Sequence, residues 1–266
     1  MKILSTHWII QRPTLPKQVT RHSFNAIPGA AAALIALASP SQGATNLIQN
    51  GSFEAAGTSG VTSFTNWQKI NTPSGAGVDT PASVILYGSS AAYPNSAYGE
   101  SVNADNAISA SPDTVGSYAA YFVGDVSVNE TIKQYTFLNP GNYRIGFDYY
   151  LTSNGLANPY NSNISATIIG IPVAFTTITS SSTGQVWINA TGVGHITVAG
   201  YYSTSLVFNS NGNPAKDVVI DRMYAISTTD AYTVVIPPTP EYIPVPGESS
   251  MLGGMGALLW LRRRRR

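Results

Sequence analysis

The sequence predicts an all-β protein with one central domain, and three observations indicate this fold class. Residues 44–227 consist of short runs rich in Val, Ile, Thr, Tyr and Phe, separated by clusters of Gly, Asn, Ser and Pro. No segment of this range combines apolar residues at helical spacing with helix caps. The range is also long enough to build one hydrophobic core. Many short strands at this spacing are typical of a β-sandwich or jelly roll.

The strand pattern is clearest on either side of Asn139-Pro140-Gly141-Asn142. These four residues fit a type II turn, because Pro presets φ and Gly supplies a positive φ. After the turn, alternate residues from Tyr143 to Leu151 are apolar, and Tyr150 falls on the other, mixed face. We therefore predict a hairpin here. Further strands are predicted in SYAAYFV, ISATII, VWINAT, HITVAGYY, TSLVF and DVVIDRMYAI.

Residues 1–43 have the pattern of a secretory signal peptide. A basic leader precedes the mostly apolar run from Ala26 to Ala38, and small or polar residues follow it. We expect export through a Sec-type route, with cleavage after Gly43 or Ala44. The alternative, a buried alanine-rich helix, is disfavoured by Pro28-Gly29 and by the basic leader.

Residues 228–244 are predicted to be a linker. They contain the extended run YTVVI followed by several prolines, a composition that is typical of stiff, extended spacers. Residues 245–266 then combine an apolar segment, Ser249 to Leu261, with the terminal arginines Arg262, Arg263, Arg264, Arg265 and Arg266. A helix over residues 249–261 would span about 20 Å, shorter than the ~30 Å hydrocarbon core of a bilayer. Trp260 and the arginines suit a membrane interface.

The C-terminal segment resembles the PEP-CTERM sorting signal of exopolysaccharide-producing bacteria, on the residues IPVPGESS, MLGGMGALLWL and RRRRR. The family's Pro-Glu-Pro appears here as Pro246-Gly247-Glu248, and Gly253-Gly254 is similar to the related GlyGly-CTERM signal, so the sortase class stays open. The resemblance implies an exosortase-like protease of the inner membrane as a partner. It also implies a transient membrane tether, followed by the cell surface or the extracellular matrix as the final location.

The distribution of charge excludes one class of partner. Between Ala44 and Tyr242, five basic and twelve acidic residues leave a net formal charge of −7. Nucleic-acid binding requires clustered Lys and Arg to neutralise phosphates, so no nucleic-acid partner is predicted. The chain contains no cysteine, which excludes disulfides, thiol nucleophiles and cysteine-ligated zinc.

The two ends of the central domain carry a second resemblance. NLIQNGSFE, from Asn46 to Glu54, resembles the first strand of galactose-binding-like jelly rolls, which include carbohydrate-binding modules of xylan and glucan binders. DVVIDRMYAI, from Asp217 to Ile226, resembles their closing strand. The resemblance implies a single jelly-roll β-sandwich whose usual activity is sugar binding.

The same resemblance implies one structural calcium ion. By motif position its ligands would be Glu54 and Asp221, with a backbone carbonyl near Asn50-Gly51, and calcium prefers oxygen ligands of these kinds. Alternation places both carboxylates on the face opposite their apolar neighbours. In the alternative interpretation both acids are solvated, or one pairs with Arg222 or Lys69.

Sugar binding requires flat aromatic faces for the apolar side of a pyranose, and amide or carboxylate groups for its hydroxyls. The chain has 15 tyrosines. Trp67 and Trp187 lie beside alternating apolar residues and are predicted to be core aromatics. The candidates for sugar contact lie in Gly-, Ser- and Asn-rich regions or on the mixed strand face; they are Tyr87, Tyr93, Tyr98, Tyr150 and Tyr160.

Catalysis is not predicted. After signal removal His195 is the remaining histidine, and the sequence contains no G-x-S-x-G, H-E-x-x-H or P-loop motif. Two carboxylates would suffice for a glycosidase, but no pair is marked. The sequence therefore predicts an exported, surface- or matrix-associated carbohydrate-binding protein linked to extracellular polysaccharide. The alternative is a structural matrix protein with no defined sugar ligand.

Overall fold

The computed structural model describes residues 44–73, 82–125, 128–173, 177–210 and 212–236. The predicted signal peptide, the prolines of the linker and the predicted sorting signal lie outside these residues. Within the described ranges no helix has the length and apolar character needed to cross a bilayer.

The described residues form an all-β sandwich, which confirms the predicted fold class. It has two six-stranded sheets, one short α-helix and one 3₁₀ turn at Glu54–Ala56. The strands are β1 (Gln68–Pro73), β2 (Ser83–Leu86), β3 (Tyr118–Gly124), β4 (Val128–Leu138), β5 (Gly141–Tyr150), β6 (Ser162–Ile168), β7 (Ile171–Val173), β8 (Thr177–Ile178), β9 (Trp187–Ile196), β10 (Gly200–Ser210), β11 (Ala215–Ser227) and β12 (Val234–Ile236), and the helix α1 is Ser153–Ala157.

Sheet A has the strand order β1-β4-β10-β6-β7, with β8 also pairing with β6. Sheet B has the order β12-β9-β5-β11-β3-β2. Neighbouring strands are antiparallel except β12, which runs parallel to β9. The main core lies between the sheets, where alternate residues of facing strands are buried, among them Ile132, Leu206, Phe147 and Phe122. Trp67 and Trp187 are both buried, as predicted.

The central strands of sheet B, β11 and β3, are buried on both faces. Every residue of β11 from Ala215 to Ile226 is buried, although alternation alone would expose half of them. The reason is the covering segment, residues 87–117, which lies over the outer face of sheet B. A second apolar cluster fills the space between them and includes Ala97, Val102, Tyr121 and Val219.

The predicted hairpin around residues 139–142 is wrong. β4 pairs with β1 and β10 in sheet A, whereas β5 pairs with β9 and β11 in sheet B. The Pro-Gly turn therefore carries the chain from one sheet to the other. Local alternation identifies both strands, but their partners are set by contacts distant in sequence, which a turn motif does not report.

The segment from Asn46 to Glu54 was expected to be the first strand, and this is also wrong. It forms turns in which Asn50 and Phe53 have left-handed φ values of 50° and 58°. Backbone hydrogen bonds from Met223 N to Gly51 O and from Leu47 N to Ala225 O attach it to β11. A Cβ at Gly51 would lie 2.0 Å from the Met223 oxygen, so the close approach to β11 requires glycine there.

Two further boundaries differ from the predictions. Residues 228–236, predicted as linker, belong to the sandwich, because Val234–Ile236 pairs with β9 and Arg144 forms an ion pair with Asp230. The predicted strand HITVAGYY is divided between the end of β9 and the start of β10. The turn between these strands lies at residues 197–199.

Candidate functional site

The outer face of sheet A presents a row of aromatic side chains that the sequence did not single out. In β4, Ile132, Gln134 and Leu138 are buried, so the alternate residues point outward. These include Tyr135 and Phe137. Tyr201 of β10 lies directly opposite Phe137 in the register of the two strands. We call Tyr135, Phe137 and Tyr201 the aromatic strip.

The strip is open to solvent at one end and leads into polar side chains at the other. Phe137 is 53% exposed and Tyr201 is 48% exposed, and their rings meet edge to face with centroids 5.3 Å apart. Tyr135 lies opposite Ser203, and the Lys133 ammonium lies 4.7 Å from the centroid of the Tyr135 ring. This cation–π contact orients both side chains.

A groove of about 410 Å³ continues from Tyr135 towards β1. We call it the amide groove, because four of its lining residues carry amide side chains. The lining residues are Gln49, Asn66, Trp67, Gln68, Lys133, Gln134 and Tyr135. Gln134 is fixed by two hydrogen bonds with the backbone of Gln49. Gln68 and Asn66 are exposed, so their amides face solvent as donors and acceptors.

Sequence reasoning missed the strip because aromatic residues at alternate positions of a strand are usually core residues. The signal was present in the run IKQYTFL, where Lys133 shares a face with Tyr135 and Phe137. A lysine on that face marks it as the solvent side. The partner Tyr201 could not be inferred, because the register of β4 with β10 is not encoded locally.

Of the five predicted sugar-contact tyrosines, the structure brings Tyr93 and Tyr98 together. Their rings stack with centroids 5.1 Å apart and planes 14° apart, and Tyr98 is 39% exposed. We call this pair the tyrosine platform. Tyr160 is exposed but lies elsewhere, beside Gly212 and Pro214.

Tyr150 and Tyr87 are held beneath the covering segment. Tyr150 is 3% exposed and packs on Trp187, so the expectation that it lies on an exposed strand face is wrong. Tyr87 contacts Trp187 edge to face and donates a 2.5 Å hydrogen bond to Asp221. Burial first, and then the Asp221 charge, raise the pKa of Tyr87 far above its ordinary value.

The two predicted calcium ligands have separate sets of hydrogen-bond donors. Glu54 accepts from the backbone N–H groups of Ser117 and Tyr118, at 2.9 and 2.7 Å. Asp221 is fully buried and accepts from Tyr87 and from the Arg222 N–H. In the part of the chain that the structure describes, no group of three or more His, Cys, Asp or Glu residues is arranged to hold a metal. Calcium binding stays a prediction.

Asp221 belongs to a buried polar cluster under the covering segment. The Arg222 Nε lies 2.6 Å from Asp105 and 2.8 Å from Asp148, and its Nη2 donates to the Ala107 carbonyl. Burial, and then the neighbouring Asp105, raise the pKa of Asp148 to about 7. Arg222 therefore pairs with these two acids, while Lys69 pairs with Glu130 at 2.8 Å.

No protein-family model matches the chain, and no curated protein matches it either. Carbohydrate-binding modules are among the solved structures to which it is similar. TmCBM61 in complex with beta-1,4-galactotriose is 17% identical, with a TM-score of 0.40, over 69% of this chain and 99% of that one. The CBM22-1 xylan-binding domain from Paenibacillus barcinonensis Xyn10C is 12% identical, with a TM-score of 0.28, over 44% and 76%.

A different kind of protein is similar to the same degree. A cyclase from Fischerella sp. TAU in complex with 4-(1H-indol-3-yl)butan-2-one is 13% identical, with a TM-score of 0.39, over 69% of this chain and 98% of that one. Likenesses of this strength carry no conclusion about function, which must come from the surfaces themselves.

Proposed function

We propose that this protein binds carbohydrate on the outer face of sheet A, through the aromatic strip and the amide groove. The observation that carries the proposal is the exposed Phe137–Tyr201 pair beside a groove lined by amides. Large aromatic side chains grouped on an exposed face are uncommon unless they contact a ligand or partner. Their flat apolar faces suit the C–H side of a pyranose ring.

The amide groove supplies the polar half of such a site. Sugar hydroxyls both donate and accept hydrogen bonds, and amide side chains do the same. Gln68 and Asn66 present these groups to solvent, next to Tyr135. Tyr135 and Phe137 are two positions apart on β4, about 7 Å along the strand. The site is therefore elongated and suits a sugar chain better than a single monosaccharide.

The setting of this activity is also part of the proposal. The signal-peptide pattern of residues 1–43 and the PEP-CTERM-like pattern of residues 245–266 support export, processing by an exosortase-like protease, and a final location at the cell surface or in the matrix. Extracellular polysaccharide is then the available ligand. We do not assign a catalytic role to His195, which contacts Asn142 and stacks on Tyr232.

Affinity gel electrophoresis of the domain in xylan, β-glucan and galactan tests the proposal. We expect at least one of these neutral polysaccharides to retard the wild-type protein. In that gel the double variant Phe137→Ala/Tyr201→Ala should be retarded less than wild type, with an affinity that is lower by roughly tenfold or more. Each lost stacking contact costs about 1 kcal/mol of binding free energy. Tyr232→Ala, which removes an exposed aromatic from the segment before β12, serves as the matched control and should behave as wild type.

Circular dichroism and a thermal melt establish that each variant is folded. The proposal is wrong if no polysaccharide retards the folded wild type, or if the double variant is retarded as strongly as wild type. Either result would favour the structural matrix protein without a defined sugar ligand.

A further inference from the structure

The tyrosine platform holds two phenol rings face to face at the surface of the covering segment. The ring centroids of Tyr93 and Tyr98 are 5.1 Å apart, and the ring planes differ by 14°. Tyr98 is 39% exposed, while Tyr93 is half-buried and packs against the apolar cluster beneath the segment. A reagent in solution can therefore reach the Tyr98 ring, and a second phenol ring lies directly against it.

The backbone holds Tyr98 in an unusual conformation. Its φ is 49°, in the left-handed region that bulky residues rarely adopt. Such conformations cost free energy and occur preferentially where a residue has a function. Two backbone hydrogen bonds fix the loop at this point, from the Tyr98 N–H to the Ser96 carbonyl and from the Gly99 N–H to the Ala91 carbonyl, both at 3.0 Å. The loop therefore keeps the Tyr98 ring in place against Tyr93.

The stacked arrangement distinguishes Tyr93 from the other tyrosine that contacts Tyr98. Tyr121 approaches Tyr98 edge to face, with centroids 6.4 Å apart and planes at 72°. Tyr121 is 1% exposed, and its hydroxyl donates a 2.6 Å hydrogen bond to Asp217. The Tyr93 ring lies closer to Tyr98 and is nearly parallel to it. Tyr93 is therefore the better placed partner for a reaction between two phenol rings.

Exposure alone does not create this arrangement. Tyr201 is 48% exposed and Tyr232 is 46% exposed, both more than Tyr98. The ring against Tyr201 is Phe137, and the ring against Tyr232 is His195. These two neighbours carry no phenol hydroxyl, whereas both rings of the platform do. The platform is therefore distinguished by the pairing of two phenols.

We propose that Tyr93 and Tyr98 form a site of oxidative modification, at which a peroxidase-type one-electron oxidant joins the two rings as a dityrosine within one chain. The platform is separate from the aromatic strip, so this proposal goes beyond carbohydrate binding and does not depend on it. The chain contains no cysteine, so a disulfide cannot form within it. A dityrosine would supply a covalent link inside the covering segment.

The reaction balances with hydrogen peroxide as the final oxidant. Each phenol loses its hydroxyl proton and one electron, which gives two tyrosyl radicals. A carbon–carbon bond then forms between the ring carbons beside the hydroxyl groups, one Cε atom from each residue. Each of these carbons releases its hydrogen as a proton when aromaticity returns, and each oxygen regains a proton. The pair thus loses two electrons and two protons, which convert one peroxide into two water molecules.

The fold determines which radicals meet. Rings that already face each other react without the entropy cost of bringing two reactants together. Coupling within the platform should therefore be faster than coupling between two protein molecules. The product closes a short loop from residue 93 to residue 98, which reduces the freedom of the unfolded chain and so stabilises the covering segment.

Mass spectrometry of the oxidised protein tests the proposal. Dilute protein is treated with a peroxidase and hydrogen peroxide, and the monomer is isolated and digested. We expect a peptide that contains Tyr93 and Tyr98, is lighter by two hydrogen atoms, and shows a closed loop between these residues on fragmentation. Tyr93→Phe and Tyr98→Phe each keep the ring and remove the phenol hydroxyl, so each should abolish this product and its dityrosine fluorescence.

Three controls make the result specific, and circular dichroism establishes that each variant is folded. Tyr232→Phe removes a more exposed phenol and should leave the product unchanged. Phe137→Ala/Tyr201→Ala should cross-link as wild type does, whatever its behaviour with polysaccharides, so the two proposals can fail separately. In urea the yield of the link between residues 93 and 98 should fall severalfold, because closeness in sequence alone does not hold the rings face to face.

The proposal is overturned if the folded monomer yields no dityrosine, or if its dityrosine joins other tyrosines. It is also overturned if links between chains outnumber the link within the chain in dilute solution. An equal yield of the link in urea would show that the fold does not direct the coupling, and this too would overturn the proposal.

Discussion

The two sheets of this sandwich have opposite outer faces. The outer face of sheet A is open, with the aromatic strip, serines and amides on its surface. On sheet B, the outer face of the central strands lies under the covering segment, which holds Tyr150, Asp148 and Arg222 almost out of contact with water. In β5 apolar residues alternate with more polar ones, yet Asp148 and Tyr150 on its outer face are buried. The exposure of a strand face is therefore decided by what the rest of the chain places over it.

The two outer faces also differ in the surroundings of their charged side chains. Beneath the covering segment, Arg222 is the cation that faces Asp105 and Asp148, and Asp221 adjoins them. Charges removed from water are stable only when paired or protonated. On sheet A, Lys133 is half-buried and its ammonium lies over the Tyr135 ring. Equivalent substitutions on the two faces should therefore have very different costs.

The largest contrast is expected for the two cations. Arg222→Met would leave Asp105 and Asp148 buried without a counter-charge, which typically costs 3–5 kcal/mol of unfolding free energy. Lys133→Met on the open face should cost less than about 0.5 kcal/mol. Urea denaturation at pH 7 measures both. Similar losses of unfolding free energy for the two variants would mean that the covering segment does not exclude water from sheet B.

Two tyrosines, one on each sheet, test the same comparison. Tyr150→Ala removes a buried ring that packs on Trp187 and should cost about 3 kcal/mol. Tyr201→Ala removes a ring that is half exposed on sheet A and should cost less than about 1 kcal/mol. Thermal melts followed by circular dichroism measure both losses. A cost for Tyr201→Ala equal to that for Tyr150→Ala would contradict the assignment of the strip as a solvent-facing surface.

Sheet B should also show a pH dependence of stability. The pKa of Asp217 is raised to about 7 in the folded protein, from an ordinary value of 3.8, chiefly by burial. The fold therefore favours its protonated form, so this stabilisation is complete below about pH 4 and is lost as pH rises through about 7. Asp148 adds a contribution of the same sign. The melting temperature should fall by a few degrees between pH 4.5 and pH 8.

Asp217→Asn should flatten this fall, because asparagine does not titrate, its oxygen can accept from the Gly124 N–H, and its amide group can donate to the Tyr121 hydroxyl. The control is Asp230→Asn. The Asp230 side chain is 39% exposed, and its hydrogen bonds with Thr228 and Arg144 lower its pKa, so its titration lies below this pH range. If the melting temperature of Asp217→Asn falls with pH as steeply as that of wild type, Asp217 is ionised in the folded protein at both pH values.

Alternation and turn residues were sufficient to predict the fold class, most strands and the burial of Trp67 and Trp187. They also directed attention to Tyr93 and Tyr98, whose loop has the composition of a surface region. They could not predict that β4 and β5 belong to different sheets, because strand partners are set by long-range contacts. Nor could they predict the burial of Tyr150, which depends on a polar, irregular segment folding back over sheet B.

The parallel pairing of β12 with β9 bears on how the domain withstands force. Three consecutive residues of β12 pair with β9, and side chains of Thr197 and Thr233 add hydrogen bonds at either end. Tension directed along this strand from its C-terminal side would load these bonds together, in shear, and not one after another. Among the described residues, the last strand of the sandwich is thus a mechanical clamp on the edge of sheet B.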